Sequence, residues 1–378
     1  MTSRQNKNLI ELGRDSLQSA EQAASYEWLV TNGIGGFATG TVSGQLTRRY
    51  QGLLVAALQP PLGRTLLVNR LDETITVPTS AGEQTIDLAT TAWGPHNTTG
   101  NGHHHINRFW LDGTVPTWEY AIGDTILQKR IWMEQSENTT YVQYRRIAGN
   151  RPVSFSAKLF ANYRDYHGTT SAGDWQMSIV PCKNGRGIEI NAFGGATPFY
   201  AIVNHGIIKP THVWYNNHYL ATENYRGLSD REDHLKAGII EAELTDDKPL
   251  TIVLSTNPSP KTDGDMAYRR QKKHENKLTT NASPKTAQLH LAADQFIVSR
   301  PTADDPNGKS IIAGYPWFGD WGRDTMISLR GLTLTTGRTE IARKILLTYG
   351  KYVNRGMIPN RFPDSGEPPE YNTIDATL

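Results

Sequence analysis

The densest group of chemically capable side chains in this sequence is PWFGDWGRDT, residues 316–325, where Trp317, Phe318 and Trp321 alternate with Asp320, Arg323 and Asp324. Charged groups enter an apolar core only when each is paired, and a flexible linker would not carry three large rings. The set suits a shaped polar pocket, with rings for walls and charges aimed at hydroxyl groups. Downstream, Asp364, Glu367, Glu370 and Asp375 add carboxylates, with Arg361 and Tyr371 among them. Paired carboxylates are what cleavage of a glycosidic bond needs: one protonated to help the leaving group depart, the other ionised to activate water or to attack. Vicinal hydroxyls match a guanidinium fork or a carboxylate, and a tryptophan face matches the apolar side of a pyranose. Trp317, Asp320, Trp321, Arg323, Asp324, Arg361, Glu370 and Tyr371 are therefore the candidate sugar contacts. The residues leave one alternative open, a helix start in which Asp320 and Asp324 cap the first turn and Arg323 pairs with them.

Two kinds of element must position this group. From about residue 26 to 256 the pattern has period two, as in TLLVNRLDETITV, TTYVQYRRI and VSFSAKLFANY, with turn residues at short intervals. Gly123-Asp124 and Asn184-Gly185 sit between apolar arms as hairpin turns. A large antiparallel β-sandwich over residues 1–257 is the expectation. After Pro258 the character changes: DGDMAYRRQKKHENKL reads as a charged helix and TTNASPKTA breaks it, giving a helical connector over 258–287. From Gln288 onward LHLAADQFIV, TMISLRGLTLTTG and TEIARKILLTYGKYV have helical spacing. In the last, Thr339 is the expected N-cap and Ala342, Ile345, Leu346 and Tyr349 the inward face, with Thr336-Gly337-Arg338 as the turn between antiparallel helices. Arg48, Arg49 and Tyr50 read as the polar entrance to the strand QGLLVAAL, with contact to a glucan as the alternative, and the RRQKK run at 269–273 as a solvated helix face.

A length of 378 residues exceeds the size at which one core stops growing, so two domains are expected. The 39 basic and 37 acidic residues give a net charge of +2 with no long run of either sign, which argues against a nucleic-acid partner. One cysteine, Cys182, excludes an intrachain disulfide and fits a reducing compartment. No segment has the length of a signal-peptide core or a membrane span, so a cytoplasmic protein without a membrane partner is expected. Neither a cofactor nor a metal is expected. His103, His104 and His105 offer imidazoles, but adjacent residues rarely converge on one ion, and no cysteine or carboxylate stands at ligand spacing. NGIGGFATG, residues 32–40, lacks the βαβ setting of a dinucleotide site and reads as a tight turn whose glycines let it approach the neighbouring domain. The proline-rich segment ending at Leu378 finishes in what reads as the first turn of another helix, and a helical hairpin leaves one apolar face uncovered. A C-terminally truncated chain is expected.

WFGDWGRDTMISLRGLTLTTGR, RGMIPNRF and YNTIDATL together resemble the start of the catalytic domain of glycogen debranching enzymes, the amylo-α-1,6-glucosidase part. EWLVTNGIGGFATGTVSGQLTRRYQGLLVAAL, residues 27–58, is similar to the opening of the N-terminal domain of bacterial and archaeal members. The resemblance implies a β-sandwich followed by the first helices of an (α/α)6 barrel, with the pocket at the loop end of the helices. It implies that Arg323 and Asp324 hold hydroxyls of a terminal glucose between Trp317 and Trp321. It also implies that Asp375 is the general acid, a role that requires a raised pKa. A full barrel takes roughly 250 to 400 residues, so the general base is expected beyond Leu378. The implied activity of the full-length enzyme is hydrolysis of α-1,6-linked glucose at branch points of glycogen or limit dextrin, with inversion. This fragment would be inactive. The rivals are a glucoamylase-like hydrolase or disaccharide phosphorylase of similar architecture, and a non-catalytic glucan-binding module.

Overall fold

Residues of period two pair into strands, because alternation gives each strand one apolar face and one polar face. The computed structural model describes residues 9–79, 82–245, 248–302, 304–363 and 367–377, so Asp364 lies outside the described residues. Among these, a nine-stranded antiparallel sheet runs in the order Glu11–Gly13, Ile106–Asp112, Val115–Ile122, Thr125–Met133, Thr139–Ala148, Leu250–Ser255, Phe199–Val203, Gly187–Asn191, Ser178–Cys182. An eight-stranded antiparallel sheet faces it, in the order Ile207–Tyr219, Arg231–Leu244, Val153–Asp165, Leu62–Thr79, Gly52–Gln59, Phe37–Thr41, Glu27–Thr31, with Gly82–Asp87 added to Leu62–Thr79. Their inner faces share one core: Leu54, Val68, Ile75, Leu159 and Ile240 from one sheet meet Trp118, Leu127, Val142 and Ile252 from the other. Trp28 and Trp118 touch edge to face across it, with ring centroids 5.7 Å apart. The expected sandwich is present, and so are both hairpins; Gly123 has φ +60° and Gly185 φ +80°, a region that glycine enters without strain.

Two short helices, α1 (Ala20–Ser25) and α2 (Ala221–Tyr225), decorate the sandwich, and α3 (Gly264–Leu278) opens the helical part. Asp263 caps α3, its carboxylate accepting the Met266 N–H at 2.9 Å. The RRQKK run departs from a solvated face. Only Arg269 and Lys273 are exposed; Arg270 pairs with Glu134, and Lys272 pairs with Asp112 and Glu275. Glu275 is 3% exposed and accepts both the N–H and the hydroxyl of Thr114. The two inner charges of the run, Arg270 and Lys272, thus rivet α3 to the sandwich.

The next helix, α4 (Pro284–Gln295), ends sooner than LHLAADQFIV suggests. Ile297–Ser299 is extended and pairs with Lys309–Ile311, since the β-branched Ile297 and Val298 find a partner strand and Val298 becomes fully buried. Ser299 N–H donates to the Gly33 carbonyl at 2.9 Å, so the NGIGG turn does meet the helical part. Helix α5 (Gly322–Leu329) widens into a π turn at Arg330–Leu334 before α6 (Thr339–Gly350). The N-cap of α6 is Arg338 instead of Thr339. The Arg338 N–H is drawn to the Thr333 carbonyl and its guanidinium to Asp294 and the Leu332 carbonyl, which fixes the chain one residue early. Ala342, Ile345 and Tyr349 face inward as expected, whereas Leu346 is 49% exposed. No helix of the described residues is long and apolar enough to cross a membrane.

One buried charge cluster lies on the second sheet. Glu232, 1% exposed, accepts Arg164 Nε, Asn162 Nδ2 at 3.4 Å and His234 Nε2 at 3.3 Å. Burial alone would raise its carboxyl, but the Arg164 guanidinium and His234 override burial and hold it down at about 2. Its folded value is below its unfolded 4.5, so the stability it contributes is complete above that pH and is lost as pH falls toward 2. Glu232→Gln is expected to lower the urea midpoint at neutral pH and to flatten the acid side of the midpoint-versus-pH curve. A curve parallel to that of the unmodified chain would refute this.

Candidate functional site

The aromatic–acidic loop is laid down on a base made by both parts of the chain. Ile312 N–H donates to the Phe296 carbonyl at 2.9 Å, and Ala313 N–H to the Gly319 carbonyl at 2.8 Å, closing residues 313–319 into a compact turn. Tyr315 packs with Val298 and Ile312 against Phe37, Tyr50, Val55, Leu66 and Tyr166 of the sandwich, and Trp317 lies on that cluster. The Tyr166 hydroxyl donates to the Trp317 carbonyl at 3.4 Å. Helix α5 then begins at Gly322, where a β-carbon would stand 2.0 Å from the Pro359 carbonyl oxygen; only glycine allows this approach. The Gly322 N–H donates to Asn360 O at 2.7 Å, Asn360 N–H to Glu370 O at 2.7 Å, and Glu370 N–H to Arg361 O at 2.9 Å. Three stretches distant in sequence are thereby stitched edge to edge at the head of α5.

The side chains sort into two levels. On the accessible level, Arg361 sets its guanidinium 5.5 Å from the Trp321 ring centroid and bonds Glu370 at 2.7 Å. Phe318 meets Trp321 edge-on at 6.0 Å. Arg323 reaches Asp375 at 3.3 Å, with both side chains about half exposed. Asp324 is half-buried in the first turn of α5. Tyr371 is half-buried too, and its hydroxyl donates to the Tyr352 carbonyl at 2.7 Å, which anchors the loop. On the lower level, Asp320 is fully buried and takes Arg300 Nη1 at 2.6 Å, while that guanidinium lies 3.8 Å from the Phe362 ring centroid. Asp320, a candidate sugar contact by residue type, has no accessible surface here and lies under the loop, paired with Arg300. The capping alternative is corrected, since Trp321 holds the N-cap position without a side-chain cap and Arg323 turns to Asp375.

Asp375 presents a chemical tension. The Thr373 hydroxyl, the backbone N–H of Asp375 itself and the Arg323 guanidinium hold its carboxyl below the ordinary range, and the group is exposed. A general acid at neutral pH needs the opposite shift. Arg300 had no local signature in the sequence as the partner of Asp320, because the pair is made across 20 positions by tertiary packing. Arg48, read from the sequence as a polar entrance with contact to a glucan as the alternative, sits on a turn, and its guanidinium lies 5.4 Å from the Trp317 ring centroid. His103, His104 and His105 form a short 3-10 turn against Ile106–Asp112 and Val115–Ile122. Burial and the two neighbouring imidazoles push the His103 pKa down, and no group of three or more potential metal ligands occurs among the described residues.

With this geometry in place, similarity to known proteins is decisive for the family. Residues 26–251 match the model of the glycogen debranching enzyme N-terminal region. The chain belongs to the glycogen debranching enzyme family. Residues 291–378, which carry the whole of the loop, α5 and the Arg361–Asp375 stretch, match the amylo-alpha-1,6-glucosidase model. A glycogen debranching enzyme of Saccharomyces cerevisiae is 45% identical over 75 residues, which span 18% of this chain and 5% of the yeast protein. A solved bacterial glucoamylase complexed with acarbose superposes with a TM-score of 0.48 at 12% identity, over 98% of this chain and 55% of that one.

In this member of the debranching family the Arg300–Asp320 pair is the support most exposed to a test. Asp320→Ala leaves a buried guanidinium unanswered and is expected to cost about 3–5 kcal/mol, read as a fall in the urea midpoint. A loss below about 1 kcal/mol would mean that water compensates Arg300 and that the pair does not hold the loop.

Proposed function

We propose that this chain carries the sugar-holding part of a glycoside hydrolase that removes α-1,6-linked glucose from branch points of glycogen or a limit dextrin. The carrying observation is the meeting at the head of α5 of the Trp321–Arg361–Glu370 group and the Arg323–Asp375 pair, with Asp324 in the first turn and Trp317 in the loop that leads into it, in a chain of this family. Rings and charges in that mixture fit a pyranose, with its apolar face on a tryptophan and its hydroxyls on guanidinium and carboxylate groups. In this reading Trp317 and Trp321 are walls, Arg323 and Asp324 grip the terminal glucose, Arg361 and Glu370 brace Trp321, and Tyr371 fixes the returning loop.

Asp375 is proposed as the general acid, with water attacking from the opposite face and inversion at the anomeric carbon. Inversion needs a second carboxylate about 6.5–9.5 Å away. Asp320 is taken up by Arg300 and Glu370 by Arg361, so neither is proposed as that base. A bound glucan would strip water from Asp375 and raise its pKa toward what an acid requires. Helices α5 and α6 are proposed to open an (α/α)6 barrel. The apolar Ile327, Leu346 and Leu347 stand exposed on them, a surface suited to further helices. The division into a sandwich (1–257), a connector (258–287) and the barrel start (288–378), and a cytoplasmic location, belong to the same proposal.

With neither Asp320 nor Glu370 proposed as the base, residues 1–378 alone are expected to retain branched glucan in affinity electrophoresis without releasing glucose from a phosphorylase limit dextrin. Trp321→Ala should weaken that retention by about threefold to tenfold. In a longer version with a complete catalytic domain, Asp375→Asn should cut glucose release at least about 100-fold with retention intact. Enzyme-like glucose release by residues 1–378 would refute the inactive-fragment claim, and retention unaffected by Trp321→Ala would remove this loop as the sugar site.

A further inference from the structure

We propose that Arg48, supplied by the sandwich, is a positioning residue for Trp317, and that the Glu27–Arg48 pair sets which face of that ring a sugar can use. The inference rests on the sugar-holding reading above. The Arg48 guanidinium lies 5.4 Å from the Trp317 ring centroid, within the range of cation–π attraction. It is aimed from behind: Arg48 Nε donates to Glu27 Oε1 at 2.7 Å, and Gln51 Nε2 donates to the same oxygen at 2.7 Å.

Gln51 is 1% exposed, and its Oε1 accepts the backbone N–H of Thr47 at 2.7 Å and of Arg48 at 3.2 Å. One buried amide therefore fixes both the turn that carries Arg48 and the carboxylate that orients it. Arg48 and Glu27 are 21% and 35% exposed, unlike a fully solvated pair whose geometry would be loose. At the backbone, the Tyr166 hydroxyl donates to the Trp317 carbonyl, and Tyr315 anchors the preceding residues in the aromatic cluster. With backbone and one face held by the sandwich, the ring offers a pyranose its other face. A glucan-binding pocket built this way depends on a residue more than 250 positions upstream of the loop.

The test uses residues 1–378 labelled with 5-fluorotryptophan, in which Trp317→Phe identifies the Trp317 resonance among those of the nine tryptophans. Arg48→Gln and Glu27→Gln are each expected to shift or broaden that resonance while the other tryptophan lines stay in place, which also shows that the fold is kept. Affinity for panose, a trisaccharide ending in an α-1,6-linked glucose, should fall about threefold to tenfold in both variants, and Arg48→Lys should restore part of it. An unmoved Trp317 line overturns the proposal, even if panose binding falls, because Arg48 would then touch sugar directly. A moved line with unchanged panose affinity also overturns it. If the unmodified chain binds no panose but the line moves, the positioning role stands and the sugar-holding reading fails.

Discussion

The site depends on one buried ion pair. Asp320 has no accessible surface, and a carboxylate in that state persists only if a cation answers it and hydrogen bonds occupy its surroundings. Arg300 supplies the cation at 2.6 Å from the segment following Ile297–Ser299, and that segment is itself tied to the sandwich through Ser299 and Gly33. The Asp320 carbonyl accepts the Phe362 N–H, and the Phe362 ring lies under the Arg300 guanidinium. The pair thus joins three separate segments: the one behind the sandwich turn, the aromatic loop and the stretch carrying Arg361. Removing either charge would leave the other buried without that counter-charge, so the geometry at the head of α5 and local stability are tied together.

Placing one carboxylate below and the others above gives the acidic residues different jobs. Asp320 gives up contact with solvent and becomes scaffold. Glu370 is half-buried and braces Arg361 against the Trp321 ring. Asp375 remains in water beside Arg323, where the ionised form is favoured. Only a group still in water can change its protonation when a ligand covers it, because desolvation acts on surface that was exposed beforehand. Asp375 is therefore the carboxylate most open to a change in its surroundings, and Asp320 the least.

Much of the sandwich was legible because its rule is local. A strand with one buried face must alternate, and Gly123 and Asn184-Gly185 mark turns by their own backbone preferences. The helical part was legible in outline and misread in detail, for reasons that are tertiary. The RRQKK run looks solvated in isolation, yet Asp112, Glu134 and Glu275 sit where its two inner charges land. Thr339 is the better cap by type, but Arg338 is held by Asp294 on another helix. Leu346 fits the periodicity of α6 and still faces outward, since periodicity gives an apolar arc without saying which part of it has a neighbour. At the site, residue types showed rings set among charged groups but did not separate the buried aspartate from the accessible ones, because Asp320 meets Arg300 only through tertiary packing.

The aromatic loop is seated on residues from both parts of the chain. Tyr315 is held among Phe37, Tyr50, Val55, Leu66 and Tyr166, a cluster of rings and branched side chains from the sandwich, with Val298 and Ile312 completing it. Interiors packed in this way do not deform continuously; they keep one arrangement or break. A loop mounted on such a base keeps its shape. The glycines that allow the assembly are equally unforgiving: Gly322 abuts the Pro359 carbonyl, and Gly35 at φ +96° abuts the Pro61 carbonyl in the turn that also receives Ser299. The sandwich therefore does more than accompany the helices. It supplies the surface on which the aromatic loop is seated, so the sequence signatures at 27–58 and 316–325 meet in the fold.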